Sequence, residues 1–441
     1  MMGGAERIAA DDPKSAIDAG PMHFRQWIAV AITVGLNALD GFDVLSISFA
    51  SPGIAREWGI SQSILGWVLS MELLGMALGS VLLGGAADRF GRRPTILGCL
   101  SAMTLGMYGA GQASGLEELL AWRLLTGLGI GGMLAAINAA AAEFSNNRRR
   151  SLAMSLMVIG YPIGGVLGGL VVQQLLVAGG WRDVFVFGAW ATAAFIPLVW
   201  LFVPETPAFL DRRRGPNALD RANRILLRFG HSAVLQLSPE PETAARRSLA
   251  DIFSPQLIAT TLLITFAYFA HITSFYFIIK WVPKIVVDLG FAPSAAASVL
   301  TWANVGGATG GALFGLIATR VDLKRLTICT LFASTGLIIW FGSGADDLPG
   351  LAIMVAVAGM FTNAAIVGLY ALFAQIFPTH VRATGTGFAI GVGRGGAALA
   401  PVIGGYLFQA GMGLQAVAAI MGAGSLLAAL ALLRLRVRQG D

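Results

Sequence analysis

The sequence predicts an all-α membrane protein with twelve transmembrane helices in two six-helix repeats and both termini cytoplasmic. Long apolar runs, the placement of lysine and arginine, and a constant internal offset between the two halves carry that prediction. The chain is 56% hydrophobic and 12% charged over 441 residues, whereas a soluble domain carries about 25% charged residues.

A hydrocarbon core of roughly 30 Å takes about 20 helical residues to cross. Runs of that length fall near 27–50, 63–85, 95–113, 117–142, 152–177 and 183–203, and again near 256–279, 294–318, 325–343, 349–375, 383–408 and 413–435. They are too long for barrel strands, and in lipid a helix satisfies its own backbone. With the N-terminus inside, 24 of the 30 Lys and Arg fall in cytoplasmic segments, while Arg56, Arg182, Lys280 and Lys284 fall outside and Arg123 and Arg394 within spans. That bias sets the orientation.

The longest polar interval, 204–255, separates a bundle at 27–203 from one at 256–435, with a tail at 1–26 and another at 436–441. Within the interval, "LDRANRILLRFG" has apolar residues at helical spacing, as in a helix lying on a membrane surface. The first tail lacks the n-region, h-region and cleavage site of a signal peptide and is expected to be cytoplasmic. At an offset of about 231 residues, Pro52 and Gly59 meet Pro283 and Gly290, and Gly84 and Arg89 meet Gly315 and Arg320. One residue further, Glu143 and Arg150 meet Gln375 and Arg382. A constant offset at separate places argues for duplication. Two parallel six-helix repeats are a transporter architecture, with the substrate held between them near mid-membrane.

The net charge of +6 follows from cytoplasmic loops facing anionic lipid and implies no nucleic-acid partner. Cys99 and Cys329 both lie inside spans, which provides neither a disulfide framework nor a metal site. No Walker or Rossmann loop or nucleophile motif occurs in a soluble segment, so an enzyme is not expected, and a receptor would bind without accumulating its ligand. Glycine runs such as "GLGIGGM" and "GGVLGGL" sit inside apolar spans and predict close helix packing.

"GGAADRFGRR", Gly84 to Arg93, lies between spans 2 and 3 and resembles the G-x-x-x-D-R-x-G-R-R signature of the major facilitator superfamily. "DGFD" in span 1, "AAEFSNNRRRSLAMSLMVIGYPIGGVLGG" across spans 4 and 5, "PETPAFL" after span 6 and "VRATGTGFAIGVGRGGAALAP" in span 11 resemble its aromatic acid:proton symporter branch. The resemblance covers nearly the whole chain. It is weakest in the central interval and between spans 8 and 9, where Thr319 stands in place of the motif's aspartate. It implies the major facilitator fold, proton-coupled uptake of a hydroxybenzoate-, protocatechuate- or vanillate-like carboxylate, and a working monomer in a bacterial inner membrane. The coupling ion is a proton and no other cofactor is implied. An aliphatic acid carrier or a drug/proton antiporter of the same superfamily is the alternative.

The resemblance further implies that Asp40 and Asp43 take part in transport, and that Gly84, Asp88, Arg89, Gly91 and Arg92, with Asp322 in the weaker copy, govern conformational change. Arg123 and Arg394 match the family's arginines of spans 4 and 11, and Glu143 and Arg382 its charged pair at the inner ends of those spans. Glu72 departs from the family pattern, which has a small or apolar residue there.

Depth supports functional roles for the buried charges. At 1.5 Å per residue, Asp40 and Asp43 lie roughly 20 and 24 Å into span 1, Glu72 roughly 14 Å into span 2 and Arg394 roughly 17 Å into span 11. A spacing of three puts Asp40 and Asp43 on nearly one face, extended by Asn37. Such residues mark ion or substrate pathways, although a packing salt bridge between Asp43 and Arg123 is an alternative for those two. A carboxyl group withdrawn from water beside another holds a proton more tightly, as proton coupling requires of Asp40 and Asp43, and Glu72 is a third candidate for the proton path. Arg394 offers a permanent charge and a planar fork for a substrate carboxylate. Asn37, Asn138, Tyr161, His271, Phe275, Tyr276, Trp302, Asn304, Asn363 and Tyr370 are candidates for the wall around a flat ring. His271, in register with Asp40, either titrates or packs helices. Asp88 with Arg89, Arg92 and Arg93, and Glu143 with Arg148 to Arg150, are expected to pair at the inner face.

Overall fold

The computed structural model describes residues 12–238, 249–378 and 381–435; the C-terminal tail from 436 lies outside them. Twelve of its helices have 20 or more residues. In the first half they are α1 (Phe24–Trp58), α2 (Gln62–Leu82), α3 (Arg92–Gln112), α4 (Leu116–Glu143), α5 (Arg150–Ala178) and α6 (Trp181–Phe202). In the second they are α7 (Ile258–Asp288), α8 (Pro293–Ile317), α9 (Leu323–Gly342), α10 (Leu348–Ile376), α11 (Arg382–Gln409) and α12 (Leu414–Arg434). Ten are long and apolar enough to cross a membrane, and the other two, α3 and α8, are diluted by Gly, Ser, Thr and Asn. The protein is a multi-pass membrane protein.

The packing repeats with the sequence offset. In the first half α1 packs on α5 and α6, α4 on α2 and α3, and α3 on α6; six helices on, α7 packs on α11 and α12, α10 on α8 and α9, and α9 on α12. Residues that the offset aligns take matching positions. Pro52 and Pro283 lie inside α1 and α7, and Gly59 and Gly290, both at positive φ, follow the ends of those helices. Arg150 and Arg382 each begin a helix.

The glycines bring backbones together. A Cβ at Gly164 of α5 would lie 1.7 Å from the Ala38 carbonyl oxygen of α1, and one at Gly131 of α4 would lie 2.2 Å from that of Met76 on α2. Both are far inside van der Waals contact, so these crossings require the absent side chain. The segment expected as an interfacial helix forms Ala218–Arg228, but its apolar stripe is covered by protein. Leu226 packs with Ala16 and Ile17 of the short helix Pro13–Ala19, and Ala222 packs with Phe209 and Leu210.

α1 and α7 continue past the expected ends of their spans, through Pro52 and Pro283, because the remaining backbone bonds and neighbouring helices sustain the turn that each proline interrupts. The extension corrects one placement. Lys280, expected on the outer surface, is fully buried within α7.

The halves meet along α2 with α11, α5 with α8, and α1 with α7. On the first pair, the Ser63 N–H donates to Gln409 Oε1 at 3.2 Å, Gly66 abuts Pro401, and Arg394 donates to the Met76 carbonyl at 3.2 Å. On the second, Gly165 abuts Asn304 and Gly169 abuts Thr301.

Candidate functional site

α1 delivers its two carboxylates to the centre of the bundle. Asp40 is 2% exposed and Asp43 is fully buried, and none of their four carboxylate oxygens has a hydrogen-bond partner among the described residues. Buried polar groups are normally paired, so two orphaned carboxylates one helical turn apart are unusual. Asn37 anchors the same face by donating to the Met157 carbonyl of α5.

Arg123 of α4 is fully buried and ion-paired with Glu72 of α2 at 2.5 Å. It also donates to the Asp43 carbonyl oxygen at 3.2 Å, and its guanidinium lies 5.2 Å from the Phe185 ring centroid. Its ionic partner is therefore Glu72, whereas its hydrogen bond to Asp43 goes to the backbone. Lys280 enters the same cluster from the second half. Its Nζ donates to the Val44 carbonyl and stands 3.7 Å from Glu72. Lysine is almost never fully buried without such partners.

Arg394 projects from α11, half-buried, where it interacts electrostatically with Asp40 across the boundary between the halves. Tyr268, Tyr276 and Tyr370 lie in electrostatic reach of the guanidinium. Tyr268 lies against Gly393, where a Cβ would come within 2.1 Å of the ring, and its hydroxyl is 3.0 Å from that of Tyr370. Tyr161 of α5 meets Tyr276 of α7 across the halves, and the Phe275 ring packs edge-on against Tyr276 at 5.3 Å. An arginine beside a carboxylate and tyrosine hydroxyls can hold a carboxylate at one end of a ligand and a hydroxylated ring at the other.

The remaining candidates have other surroundings. His271 is fully buried with both ring nitrogens engaged, one 2.9 Å from Ser425 Oγ and the other 2.9 Å from the Thr362 carbonyl, which ties α7 to α10 and α12. Asn138 and Asn304 each donate to the carbonyl one turn back on their own helix, at 2.8 and 2.9 Å. Asn363 donates to the Gly307 carbonyl at 2.7 Å, and Trp302 is 51% exposed. Sequence reasoning missed Tyr268 and Lys280. The offset that aligns Pro52 with Pro283 was the available signal for Lys280, since it places the lysine inside α7.

At the arginine-rich end, Arg92 is 3% exposed and bridges Asp88 and Glu143, at 2.9 Å to each. Glu143 also accepts from Arg212 and from Thr206 Oγ1, both at 2.5 Å. Its partners are thus Arg92 and Arg212; Arg150 pairs with Asp18, and Arg382 donates to the Phe377 carbonyl at 3.3 Å. Asp88 and Arg89 lie on the exposed short helix Ala86–Phe90, which Gly84 precedes. Gly91 has φ of 111°, and a Cβ there would lie 2.1 Å from Glu205 Oε2. Glu205 Oε1 accepts the Arg92 N–H at 2.9 Å, and burial holds its carboxyl above the ordinary carboxylate range. Gly91 therefore serves both a left-handed backbone and a close carboxylate. In the second copy, Asp322 caps α9 by accepting the Arg325 N–H at 2.8 Å.

Comparison with known proteins agrees with this architecture. The family model described as Major Facilitator Superfamily matches residues 33–280 and 264–440. The chain is 32% identical to a gallate transporter of Pseudomonas putida over 96% of this chain and 94% of that one. It is 30% identical to the 4-hydroxybenzoate transporter PcaK of Pseudomonas aeruginosa (92% and 91% covered) and to a 3-(3-hydroxy-phenyl)propionate transporter of Escherichia coli (92% and 94%). Among solved structures, a D-xylose-proton symporter superposes with a TM-score of 0.73 at 16% identity, over 94% of this chain and 99% of that one. Two bundles of matching helix pairs, buried charges where they meet and this extent of likeness lead to one statement: the chain is a transporter, not an enzyme, and belongs to the Major Facilitator Superfamily, on the branch that holds these aromatic-acid transporters.

Proposed function

We propose that the protein imports an aromatic carboxylate, of the hydroxybenzoate, protocatechuate or gallate kind, together with at least one proton across a bacterial inner membrane. All twelve long helices cross the membrane in this reading, both termini are cytoplasmic, the bundles 27–203 and 256–435 rock about the linker, and a monomer suffices. The observation that carries the reading is Arg394 of one half hydrogen-bonded to the Met76 carbonyl of the other, in electrostatic reach of Asp40 and of Tyr268, Tyr276 and Tyr370. The relatives named above, transporters of gallate, 4-hydroxybenzoate and 3-(3-hydroxy-phenyl)propionate, support it. Arg394 receives the substrate carboxylate, with Tyr161, Tyr276, Tyr268 and Tyr370 around the ring. Asp40 and Asp43, buried without partners, carry protons, since an uncompensated buried charge is costly and a proton removes it.

The close contacts between α2 and α11 run from Met76 and Arg394 to Ser63 and Gln409, the ends away from the arginine-rich loops. In the proposed orientation these contacts seal the outer face.

Initial uptake into proteoliposomes, with and without an inward proton gradient, tests the reading over benzoate, hydroxybenzoates, protocatechuate, gallate, phenylpropanoids and aliphatic acids. Hydroxylated aromatic acids are expected to accumulate only under the gradient. Indifference to the gradient, preference for aliphatic acids, or substrate-stimulated proton release would each overturn it. Asp40→Asn and Asp43→Asn should abolish gradient-driven accumulation; either variant accumulating normally would remove that residue from the proton path. Asp88→Asn removes an exposed partner of Arg92, an interaction worth at most about 1 kcal/mol. It should slow uptake by about two- to fivefold while binding affinity stays within twofold. An unchanged rate would exclude Asp88 from gating.

A further inference from the structure

The six buried or half-buried charges at the centre divide unevenly between the halves. Asp40, Asp43, Glu72 and Arg123 belong to the first half, whereas Lys280 and Arg394 belong to the second. Three carboxylates therefore face three cations, two of which arrive only when the halves close on each other. Lys280 is the deeper of these two. It is fully buried against the first half, with Nζ donating to the Val44 carbonyl and 3.7 Å from Glu72, itself held by Arg123 at 2.5 Å. Neither Lys280 nor Glu72 has any exposure to solvent.

We propose that Lys280 is an internal competitor for the transported proton: its ammonium enters the first half's carboxylate cluster of Asp40, Asp43 and Glu72 when the outer face closes and leaves it when that face opens. The assignment rests on the proton-coupled reading above. When the outer contacts part, α7 withdraws Lys280 and the first half keeps three carboxylates with Arg123 as its one cation. Such an imbalance inside an apolar bundle is costly, and protons from the outer side neutralise it. On closure, the returning ammonium displaces a proton from that cluster toward the inner face. No covalent change occurs, and each carboxylate charge is balanced by a proton or by a cation. The other ionisable groups that interact with Glu72 or Lys280 are Asp40 and Asp43 from α1, Arg123 from α4, Tyr161 from α5 and Tyr276 from α7 itself, and Arg394 from α11 reaches the cluster through Asp40. Among them Lys280 is the cation that reaches the first half through a direct hydrogen bond to its α1 backbone.

Outer closure can be followed with Ser63→Cys and Gln409→Cys, which replace an observed contact between the halves, in a background with Cys99→Ala and Cys329→Ser. The ratio of open to closed outer faces, read from the distance between spin labels on these two cysteines in proteoliposomes, should rise about tenfold as the pH falls from about 8 to about 6, because protons favour the open outer face. Lys280→Met should flatten that profile to within about twofold, since closure then no longer exchanges a cation for a proton. Lys280→Arg should keep the slope. If Lys280→Met does not fold, Glu72→Gln/Lys280→Met, neutral at both partners, should show the same flat profile. Retention of the wild-type slope in either neutral variant overturns the assignment. Gradient-independent uptake by the unaltered protein instead overturns the proton-coupled reading beneath it.

Discussion

Arg394→Ala should lower uptake at subsaturating substrate by about 100-fold, which is about 2.7 kcal/mol. Truncating one member of a desolvated charge pair typically costs about 2–5 kcal/mol, and here the other member would be the substrate carboxylate. The guanidinium already donates to the Met76 carbonyl at 3.2 Å, which leaves further N–H groups for a ligand. Arg394→Lys keeps the charge without the fork and should recover part of the loss, mostly in maximal rate rather than affinity. Concentration dependence of initial uptake in proteoliposomes checks both variants. Normal affinity in Arg394→Ala would move the carboxylate site elsewhere, and equal loss in both variants would point to the geometry of the fork alone.

Arg123→Ala is the second large expected effect, and it falls on stability. Removing one partner of a buried ion pair costs about 3–5 kcal/mol because the other charge is left uncompensated. Arg123 is fully buried, pairs with Glu72 at 2.5 Å and ties α4 to α1 through the Asp43 carbonyl. Thermal unfolding in detergent should therefore occur at a distinctly lower temperature. Glu72→Gln/Arg123→Met removes both charges and should be more stable than Arg123→Ala, since no carboxylate is then stranded. An Arg123→Ala protein as stable as the wild type would mean that Lys280, 3.7 Å from Glu72, compensates alone. The two arginines thus separate by assay: loss at Arg394 is read in transport and loss at Arg123 in folding.

Much of this was legible in one dimension because a bilayer simplifies the physical problem. Apolar runs must be long enough to cross, backbone groups must be satisfied within each run, and cations stay on one side. The offset between Pro52 and Pro283, or Arg150 and Arg382, located the repeat that the helix pairs then display. Asp40, Asp43, Glu72 and Arg394 declared themselves as expensive residues in oily segments. The roles of the pocket candidates were less legible. Trp302 and Asn138 have the right chemistry and the right spans, but which way a side chain points depends on the neighbouring helices.

The amino-acid sequence by itself determined the class, the repeat, the family and the buried charges Asp40, Asp43, Glu72 and Arg123, since each follows from local hydrophobicity, spacing or motif. Tertiary structure alone decided the partnerships. It placed Arg123 with Glu72 rather than with the Asp43 carboxylate, Glu143 with Arg92 and Arg212, and Lys280 inside the opposite half. A charge far from its partner along the chain is matched only when helices cross, and in a low-dielectric interior the few ångströms set by that crossing govern the interaction.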